Sequence, residues 1–514
     1  MTLTARVVVA PRVFGAANGI RFGPDGLLWV CSAFGGMVGR VDVATGETDA
    51  VVPVGGGVGS ADDVDFDSEG NAYFSEYGHG RVTVRAPDGT LSVLADDLPG
   101  VNGLTVFEDR VIVDENRRDG RMLELHRDGR PHRLIAEGLQ RPNALAVGPD
   151  RFIYFPIAAG EVLRVPLEGG PVEPFVTGLG SLTSVTHDGR GTLFVTEHTP
   201  GAVLEIDVAT ARIVRRREAF PSIDNLAIDA RGAVYLSSWL DGEIAELLPD
   251  GGLRRIVAPG LVGPYGLAFV GGELHIADGL SVALPDGTGQ VRRPFGLESG
   301  FHVHARGLAE AERGGFWVSG AGGDVARWGT QGTADAVVAT GLREPMGVAD
   351  DGAGGVLVAE AAAGRVVAVG ADGAVRELAR GLERPTGVAR GADGTVWVGE
   401  RATGRLLVIG DDTRVVADGL GQPEGLAVTA DGTLLVVDAG GRRLVRVDPA
   451  SGATEEVASG LAVGAAPPGA QRAFADLLSI SGSLRPFADV AVGADGRVVV
   501  GCDADGTVVE PPAA

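Results

Sequence analysis

Residues 423–438 read Pro-Glu-Gly-Leu-Ala-Val-Thr-Ala-Asp-Gly-Thr-Leu-Leu-Val-Val-Asp: an apolar run, an Asp-Gly turn, a second apolar run and a final carboxylate. The same order recurs at 385–400 and, without the proline and with Cys31 in place of the final carboxylate, at 18–31. Self-similarity with a period of roughly 40 residues is typical of propellers and solenoids. This repeat therefore decides the fold class before any single motif is considered.

Each repeat predicts four short antiparallel strands, the content of one propeller blade. The first apolar run is the innermost strand, and the Asp-Gly pair supplies the positive φ values that a two-residue hairpin needs. The second strand ends in Glu, Asp, Ser or Cys, and the third begins with Gly-Arg, as at 364–367. The fourth strand ends in a Gly-Leu pair, as at 381–382.

About twelve such units follow one another along the 514 residues. Propellers usually have about four to eight blades, so we expect an all-β protein of two tandem six-bladed propellers, residues 1–250 and 251–514. Strand 4–9 would supply the outer strand of the sixth unit, and strand 252–257 that of the last unit, which leaves no unpaired edge. An exchange, in which strand 4–9 closes the far ring, is the alternative.

One unit is longer than the others, with an insertion at 460–486 that contains a possible short helix at 471–480. A tolerated surface loop and a lid or specificity element are both compatible with this length and position.

The composition excludes several functional classes. A formal net charge of −24 disfavours nucleic-acid binding, which needs a basic face. The chain contains no lysine, so Schiff-base and lysine-nucleophile mechanisms are impossible. Two cysteines exclude a disulfide framework and favour a cytoplasmic location. No run is apolar and long enough for a membrane helix, and residues 1–15 lack the pattern of a signal peptide. The expected partner is therefore a small-molecule substrate.

Residues just before the innermost strands would line the rim of each central channel. In the first half five of these six positions carry an amide or a carboxylate: Asn18, Asp62, Asn102, Asn143 and Asp224, with Thr183 as the sixth. Inward-pointing oxygens are what a hard cation such as Ca²⁺ requires. These residue types also cap turns before strands, which is the structural alternative for each of them.

The corresponding positions in the second half are mixed in character: Tyr265, Arg306, Met346, Thr386, Glu424 and Ala488. Oxygen ligands are fewer there, so we assign the predicted metal site to the first half only.

Histidines on the same face are candidates for a general base, since imidazole titrates near working pH. His79 and His198 lie at or after the ends of second strands, and Glu76 is a third catalytic candidate. An acid at the end of the second strand recurs in other units, which favours a structural role for it. His302 and His304, two residues apart, would share one side of an extended chain and could bind a metal.

The repeat resembles the NHL-type and gluconolactonase/regucalcin-like propeller repeats, and Phe74-Ser75-Glu76 and Val195-Thr196-Glu197 are similar to the repeat of streptogramin B lyase. The segments 142–150 and 223–226 resemble calcium-ligand segments of paraoxonase and diisopropyl fluorophosphatase. The resemblance implies a channel calcium that polarises an ester or lactone carbonyl or a phosphoryl oxygen, with ligands at Asn18, Asn102, Asn143 and Asp224. These families usually take a glutamate ligand from the first blade, where this chain has Asn18, and Asp62 would replace that charge.

Three functions follow from these features. The leading hypothesis is a metal-dependent hydrolase of a lactone or ester, in which His79 or His198 activates water. The second is a lyase like the streptogramin enzymes, in which a histidine abstracts a carbon-bound proton. The third is a non-enzymatic binding scaffold. The oligomeric state does not follow from the sequence.

Overall fold

The computed structural model describes residues 5–279, 281–296, 301, 304–329, 334–410, 412–465 and 487–512. Within these ranges the chain is all-β, built from four-stranded antiparallel sheets of the kind found in β-propellers. None of the described residues forms a helix that could span a bilayer. Residues 471–480 of the predicted insertion helix lie outside the described part.

The described chain divides into two compact units. The first unit is Val13–Pro259, and the second joins the N-terminal segment up to Arg12 to the chain from Gly260 onward. The sequence placed the boundary near residue 250 and all of residues 1–250 in one domain, so the N-terminal segment is assigned differently by the contacts.

The first unit contains six sheets, each in consecutive strand order. Their strands are β2 (Ile20–Phe22), β3 (Leu28–Ser32), β4 (Met37–Val41) and β5 (Thr48–Val52); β6 (Ala61–Phe66), β7 (Ala72–Glu76), β8 (Arg81–Arg85) and β9 (Leu91–Asp96); β10 (Val101–Phe107), β11 (Arg110–Glu115), β12 (Gly120–Leu125) and β13 (Arg133–Leu139); β14 (Ala146–Val147), β15 (Phe152–Ile157), β16 (Glu161–Pro166) and β17 (Glu173–Val176); β18 (Ser181–His187), β19 (Thr192–Thr199), β20 (Ala202–Asp207) and β21 (Arg212–Glu218); and β22 (Ile223–Ile228), β23 (Val234–Ser238), β24 (Ile244–Leu247) and β25 (Leu253–Val257).

The second unit also has six sheets among the described residues, the last of which takes β1 (Arg6–Val9) as its outer strand. The others are β26 (Pro264–Val270), β27 (Glu273–Asp278), β28 (Ser281–Pro285) and β29 (Val291–Phe295); β30 (Ala305–Glu310), β31 (Phe316–Gly320), β32 (Val325–Trp328) and β33 (Ala334–Ala339); β34 (Pro345–Asp350), β35 (Val356–Glu360), β36 (Arg365–Val369) and β37 (Val375–Arg380); β38 (Pro385–Arg390), β39 (Val396–Glu400), β40 (Arg405–Ile409) and β41 (Arg414–Ala417); β42 (Pro423–Val428), β43 (Leu434–Asp438), β44 (Arg443–Val447) and β45 (Thr454–Ser459); and β46 (Val490–Val492), β47 (Val498–Cys502) and β48 (Thr507–Glu510).

The first strands of successive sheets contact one another within each unit, and the first strand of the sixth sheet contacts that of the first. Apolar side chains fill the space between neighbouring sheets. Trp29 of β3, for example, packs edge-on against Phe66 at 5.1 Å between ring centroids and is stacked beside Phe74 at 6.4 Å. Burial of such large side chains is the main stabilising term, about 1.5–3 kcal/mol for each.

The glycine of the Pro-x-Gly motif is required by the close approach of first strands. Each motif carries a bulge, as between Pro385 and Val388 of β38. A Cβ atom on Gly387 would lie 1.9 Å from the carbonyl oxygen of Glu424 in the next first strand. A side chain there would therefore push neighbouring sheets apart.

The Asp-Gly turns differ from the predicted two-residue hairpins. Gly432 has a φ of +83°, but Asp431 does not have a positive φ, and five residues separate β42 from β43. The Asp431 side chain accepts the amide of Thr433 at 3.2 Å, a local bond typical of aspartate in turns. This bond stabilises the longer loop, in which only the glycine needs the left-handed conformation.

The predicted closure of each ring by its own N-terminal strand was wrong. β25 pairs with β24, so the outer strand of the sixth sheet is the next strand along the chain. A tight turn joins them, in which the amide of Leu248 donates to the carbonyl of Gly252 at 2.8 Å. Closing this short loop costs little entropy, which favours it over a distant strand. β1 instead pairs with β48, the exchange left open above.

Candidate functional site

The predicted rim residues lie at the starts of contacting first strands in the first unit. The side-chain amide of Asn18 donates to Oδ1 of Asp62 at 3.4 Å, and the same side chain lies close enough to the Asp224 carboxyl to lower its pKa. The structure therefore brings Asn18, Asp62 and Asp224 together, although 206 residues (224 − 18) separate the ends of this set. Asn102 and Asn143 use backbone atoms in their hydrogen bonds: the Asn102 carbonyl accepts from the Ser75 hydroxyl, and the Asn143 amide donates to the Pro156 carbonyl.

Carboxylates dominate the electrostatics of this rim. Burial raises the pKa of Asp62 well above its usual range, and the neighbouring Asp224, Asp63 and Asp114 raise it further. Burial likewise raises the pKa of Asp224 to about 7, with Asp63 adding to the shift and the hydrogen bond from Asn18 opposing it. Oxygen-rich, negatively charged surroundings of this kind favour a cation.

Two further acids beside the rim were not singled out from the sequence. Asp114 is fully buried; its Oδ1 accepts the amide of Gly103 at 3.0 Å, whereas its Oδ2 has no hydrogen-bond partner among the described residues. Asp63 accepts the amides of Val64 and Leu104. The Asp62-Asp63 pair is visible in the sequence. Only the tertiary packing shows that the charges of Asp63 and Asp114 both raise the pKa of Asp62.

A cluster of three or more His, Cys, Asp and Glu side chains able to hold a metal is not found within the described ranges. Any cation at this rim would therefore need amide or backbone oxygens beside the two carboxylates Asp62 and Asp224.

His79 lies in the loop after β7 and is held by Glu76 and Ser60. Its Nδ1 is 3.0 Å from Oε2 of Glu76 and 3.3 Å from Oγ of Ser60. Both contacts use the same ring nitrogen, so these residues do not form a serine–histidine–glutamate triad, in which the two nitrogens are used separately.

The Glu76 carboxylate is fully buried and accepts hydrogen bonds from several donors. Burial alone would raise the pKa of Glu76, but the hydrogen bonds from His79, Arg81, the Gly59 amide and Thr83 hold it at about 2. An acid this weakly basic is a poor proton acceptor at neutral pH.

The same arrangement recurs in both units. In each case the acid near the end of the second strand accepts a backbone amide from the loop before the first strand. It also pairs with an arginine near the third strand or, for Glu197 and Asp278, with Arg216 and Arg293 of the fourth strand. The acids with these contacts are Glu76, Glu197, Asp278, Glu360, Glu400 and Asp438. This recurrence supports the structural role over the catalytic one for Glu76.

His198 lies near the end of β19, half-buried beside Trp239. The indole Nε1 donates to Nδ1 of His198 at 3.3 Å, and the ring centroids are 5.8 Å apart. Phe34 extends the aromatic group, 6.4 Å from Trp239. Trp239 was not singled out from the sequence, because an indole–imidazole bond across two sheets has no signal there.

The equivalent positions of the second unit are apolar or ion-paired. Tyr265, Met346, Ala361 and Phe487 form a buried cluster, and the guanidinium of Arg306 lies 5.0 Å from the Tyr265 ring centroid. Glu424 accepts from Arg401 at 2.8 Å. His304 is fully buried, and His302 lies outside the described residues.

No protein-family model matches the chain. It is 30% identical over 136 residues to a gluconolactonase of Zymomonas mobilis, which covers 26% of this chain and 31% of the relative, so the match spans about a third of that relative's length.

Solved structures that match part of the chain include virginiamycin B lyase from Staphylococcus aureus, at 12% identity over 60% of this chain and 92% of that one, with a TM-score of 0.39. Regucalcin from Agrobacterium tumefaciens, described as a calcium-binding protein, is 17% identical over 46% of this chain and 86% of that one, with a TM-score of 0.38. The chain is thus similar in sequence to part of a gluconolactonase, and its recurring four-stranded sheets are of the kind found in β-propellers.

Proposed function

We propose that the first unit is a hydrolase of a small lactone or ester, and that it uses a divalent cation, calcium by preference, at the rim formed by Asn18, Asp62 and Asp224. The proposal rests mainly on the convergence of the half-buried carboxyl of Asp62 and the buried carboxyl of Asp224, whose strongest charged neighbours are themselves carboxylates. Hard oxygen donors of this kind suit calcium. The partial match to a gluconolactonase supports the reaction class.

We also infer the architecture that carries this site. Six sheets with their first strands in a closed circuit of contacts, found in each unit, support two six-bladed propellers. The rim residues would then surround the mouth of the first propeller's channel, and Asn102 and Asn143 would be further oxygen donors around it.

A bound divalent cation would polarise the carbonyl of the substrate. The residues of the chain would bind this cation and accept the proton from water. Asp62 and Asp224 would hold the cation, while Asn18 orients both carboxylates through its side-chain amide. His79 or His198 would take the proton from the attacking water.

The test combines metal analysis with turnover. The purified full chain should contain about one divalent cation, and it should open lactones in a pH-stat assay. Asp62→Asn, Asp224→Asn and chelation should each lower turnover by at least about 100-fold. Asp489→Asn is the matched control, because this buried carboxylate of the second unit also has a pKa of about 7. Undiminished lactone turnover in a metal-free double variant at Asp62 and Asp224 would overturn the proposal.

Elimination from an ester is the second candidate. A histidine whose orientation is fixed by a carboxylate, as His79 is by Glu76, can abstract a proton from carbon as well as from water. Turnover in heavy-oxygen water separates the two reactions, since only hydrolysis incorporates the label into the product acid.

A further inference from the structure

We propose that the two histidines of the first unit are held in opposite tautomers and so have different roles: His79 is the base at Nε2, and His198 is a hydrogen-bond donor at Nε2. Glu76 and Trp239 are the positioning residues that fix these tautomers. This inference rests on the proposed hydrolase function and assigns the roles of its two histidines.

The tautomer of His79 follows from its contact with a carboxylate. Oε2 of Glu76 lies 3.0 Å from Nδ1, and an ionised carboxylate can only accept hydrogen bonds. Because Glu76 stays ionised at neutral pH, Nδ1 must carry the proton. The oxygen of Ser60, at 3.3 Å, can accept from the same N–H, since its own proton is free to turn elsewhere. Nε2 of the neutral ring then keeps a basic lone pair.

The tautomer of His198 follows from its contact with an indole. An indole N–H can only donate, so Nδ1 must accept at 3.3 Å and cannot carry a proton. The carbonyl of Ile223 is also 3.4 Å from Nδ1, and a bond to it would need the opposite tautomer. The indole contact is shorter, and a proton on Nδ1 would oppose the indole N–H directly. The neutral ring therefore carries its proton on Nε2.

Both histidines lie at the same end of their sheets. His79 follows the second strand β7, and His198 is near the end of the second strand β19. Second strands run in the same direction through repeated four-stranded sheets, so their ends lie on the face that also carries the rim residues.

These assignments give a balanced hydrolysis. Nε2 of His79 takes a proton from water while the water oxygen forms a new bond to the carbonyl carbon. The bond from that carbon to the ring or ester oxygen then breaks, and the leaving oxygen takes the proton back from His79. His198 donates a hydrogen bond from Nε2 to the developing oxyanion and keeps its proton, because a neutral imidazole is too weak an acid to lose it.

Nitrogen NMR of the full chain labelled at histidine tests the tautomers directly. His79→Gln and His198→Gln identify the two sets of signals. We expect a protonated Nδ1 at His79 and a protonated Nε2 at His198. In Trp239→Phe the His198 signals should shift toward a tautomer mixture while His79 is unchanged, and Glu76→Gln should do the reverse.

Kinetics tests the roles. His79→Gln should lower kcat by at least about 100-fold, the usual contribution of a general base. Trp239→Phe should lower kcat with little change in KM, whereas Trp317→Phe, which removes an indole N–H bonded to Asp350 in the second unit, should leave kcat unchanged.

The opposite tautomer at either histidine overturns the proposal, as does full kcat in Trp239→Phe once the shift in tautomer has been observed. Tautomers as assigned in a chain that turns over no lactone or ester would support the positioning contacts and overturn the hydrolase function, so the two failures are distinguishable.

Discussion

Asp63, in the second sheet of the first unit, and Asp489, beside β46 in the last sheet of the second unit, occupy equivalent places in their repeats. Each accepts the amide of the next residue at 2.9 Å, and each accepts an amide from the first strand of a neighbouring sheet, at 3.1 Å from Leu104 and 3.0 Å from Leu267. For Asp489 this second bond joins the last sheet of its unit to the first. The Asp489 carboxylate therefore links the first and last sheets of the second unit, which are not adjacent in sequence.

Replacing Asp489 with alanine should destabilise the second unit by about 2 kcal/mol, because two buried amides lose their acceptor. Chemical denaturation followed by hydrogen exchange at Leu267 measures the effect and its location. Asp393→Ala, a change at an exposed turn, is the control and should alter stability by less than about 0.5 kcal/mol. Unchanged exchange at Leu267 in the Asp489 variant would contradict this role.

The pH dependence of stability should carry a contribution from Asp489. Burial raises its pKa from 3.8 to about 7, against the amide bonds from Leu267 and Val490. A carboxyl whose folded pKa is raised stabilises the protein below its unfolded pKa, and this stabilisation is lost as pH rises from about 4 to about 7. Asp489→Asn should therefore show a flatter dependence than the wild type over this window in urea titrations. Parallel curves for the two proteins would show that Asp489 does not titrate there.

The recurring acid–arginine pairs should be strongly stabilising. Glu400 is 1% exposed and holds both Arg405 and the amide of Glu383. Glu400→Ala leaves a buried amide and a half-buried guanidinium without this acceptor. It should lower the free energy of unfolding by about 2–3 kcal/mol. Glu377→Ala, at a partly exposed acid 3.7 Å from Arg365 and from Arg380, should cost less than about 0.5 kcal/mol. Thermal or urea unfolding compares the stability of the two variants. Equal losses of stability would show that the buried acid Glu400 contributes no more than the partly exposed Glu377.

Deleting residues 1–9 should loosen the second unit and leave the first unchanged, because β1 pairs with β48. Hydrogen exchange should accelerate at Thr507–Glu510 and stay constant at Ile244–Leu247, where β25 remains in place. The closure originally predicted from the sequence gives the opposite pattern, so this experiment separates the two arrangements.

The sequence alone determined the four-stranded unit, its period and the positions of its first strands. Those features follow from local chemistry: alternating apolar runs, Asp-Gly turns and, in many of the repeats, a glycine where one first strand approaches the next. It also identified Asn18, Asp62 and Asp224 as belonging to one rim, since repetition places equivalent residues at equivalent points.

Tertiary structure alone decided which strand closes which sheet, because hairpin continuity and long-range pairing compete and both satisfy the same pattern of apolar residues. It also decided the surroundings of each polar side chain. The sequence marks Glu76 and His198 as candidates but does not show their surroundings. Tertiary packing decides which donors reach them, Arg81 and Gly59 in one case and Trp239 in the other, and hydrogen bonds favour one protonation state of a side chain over another.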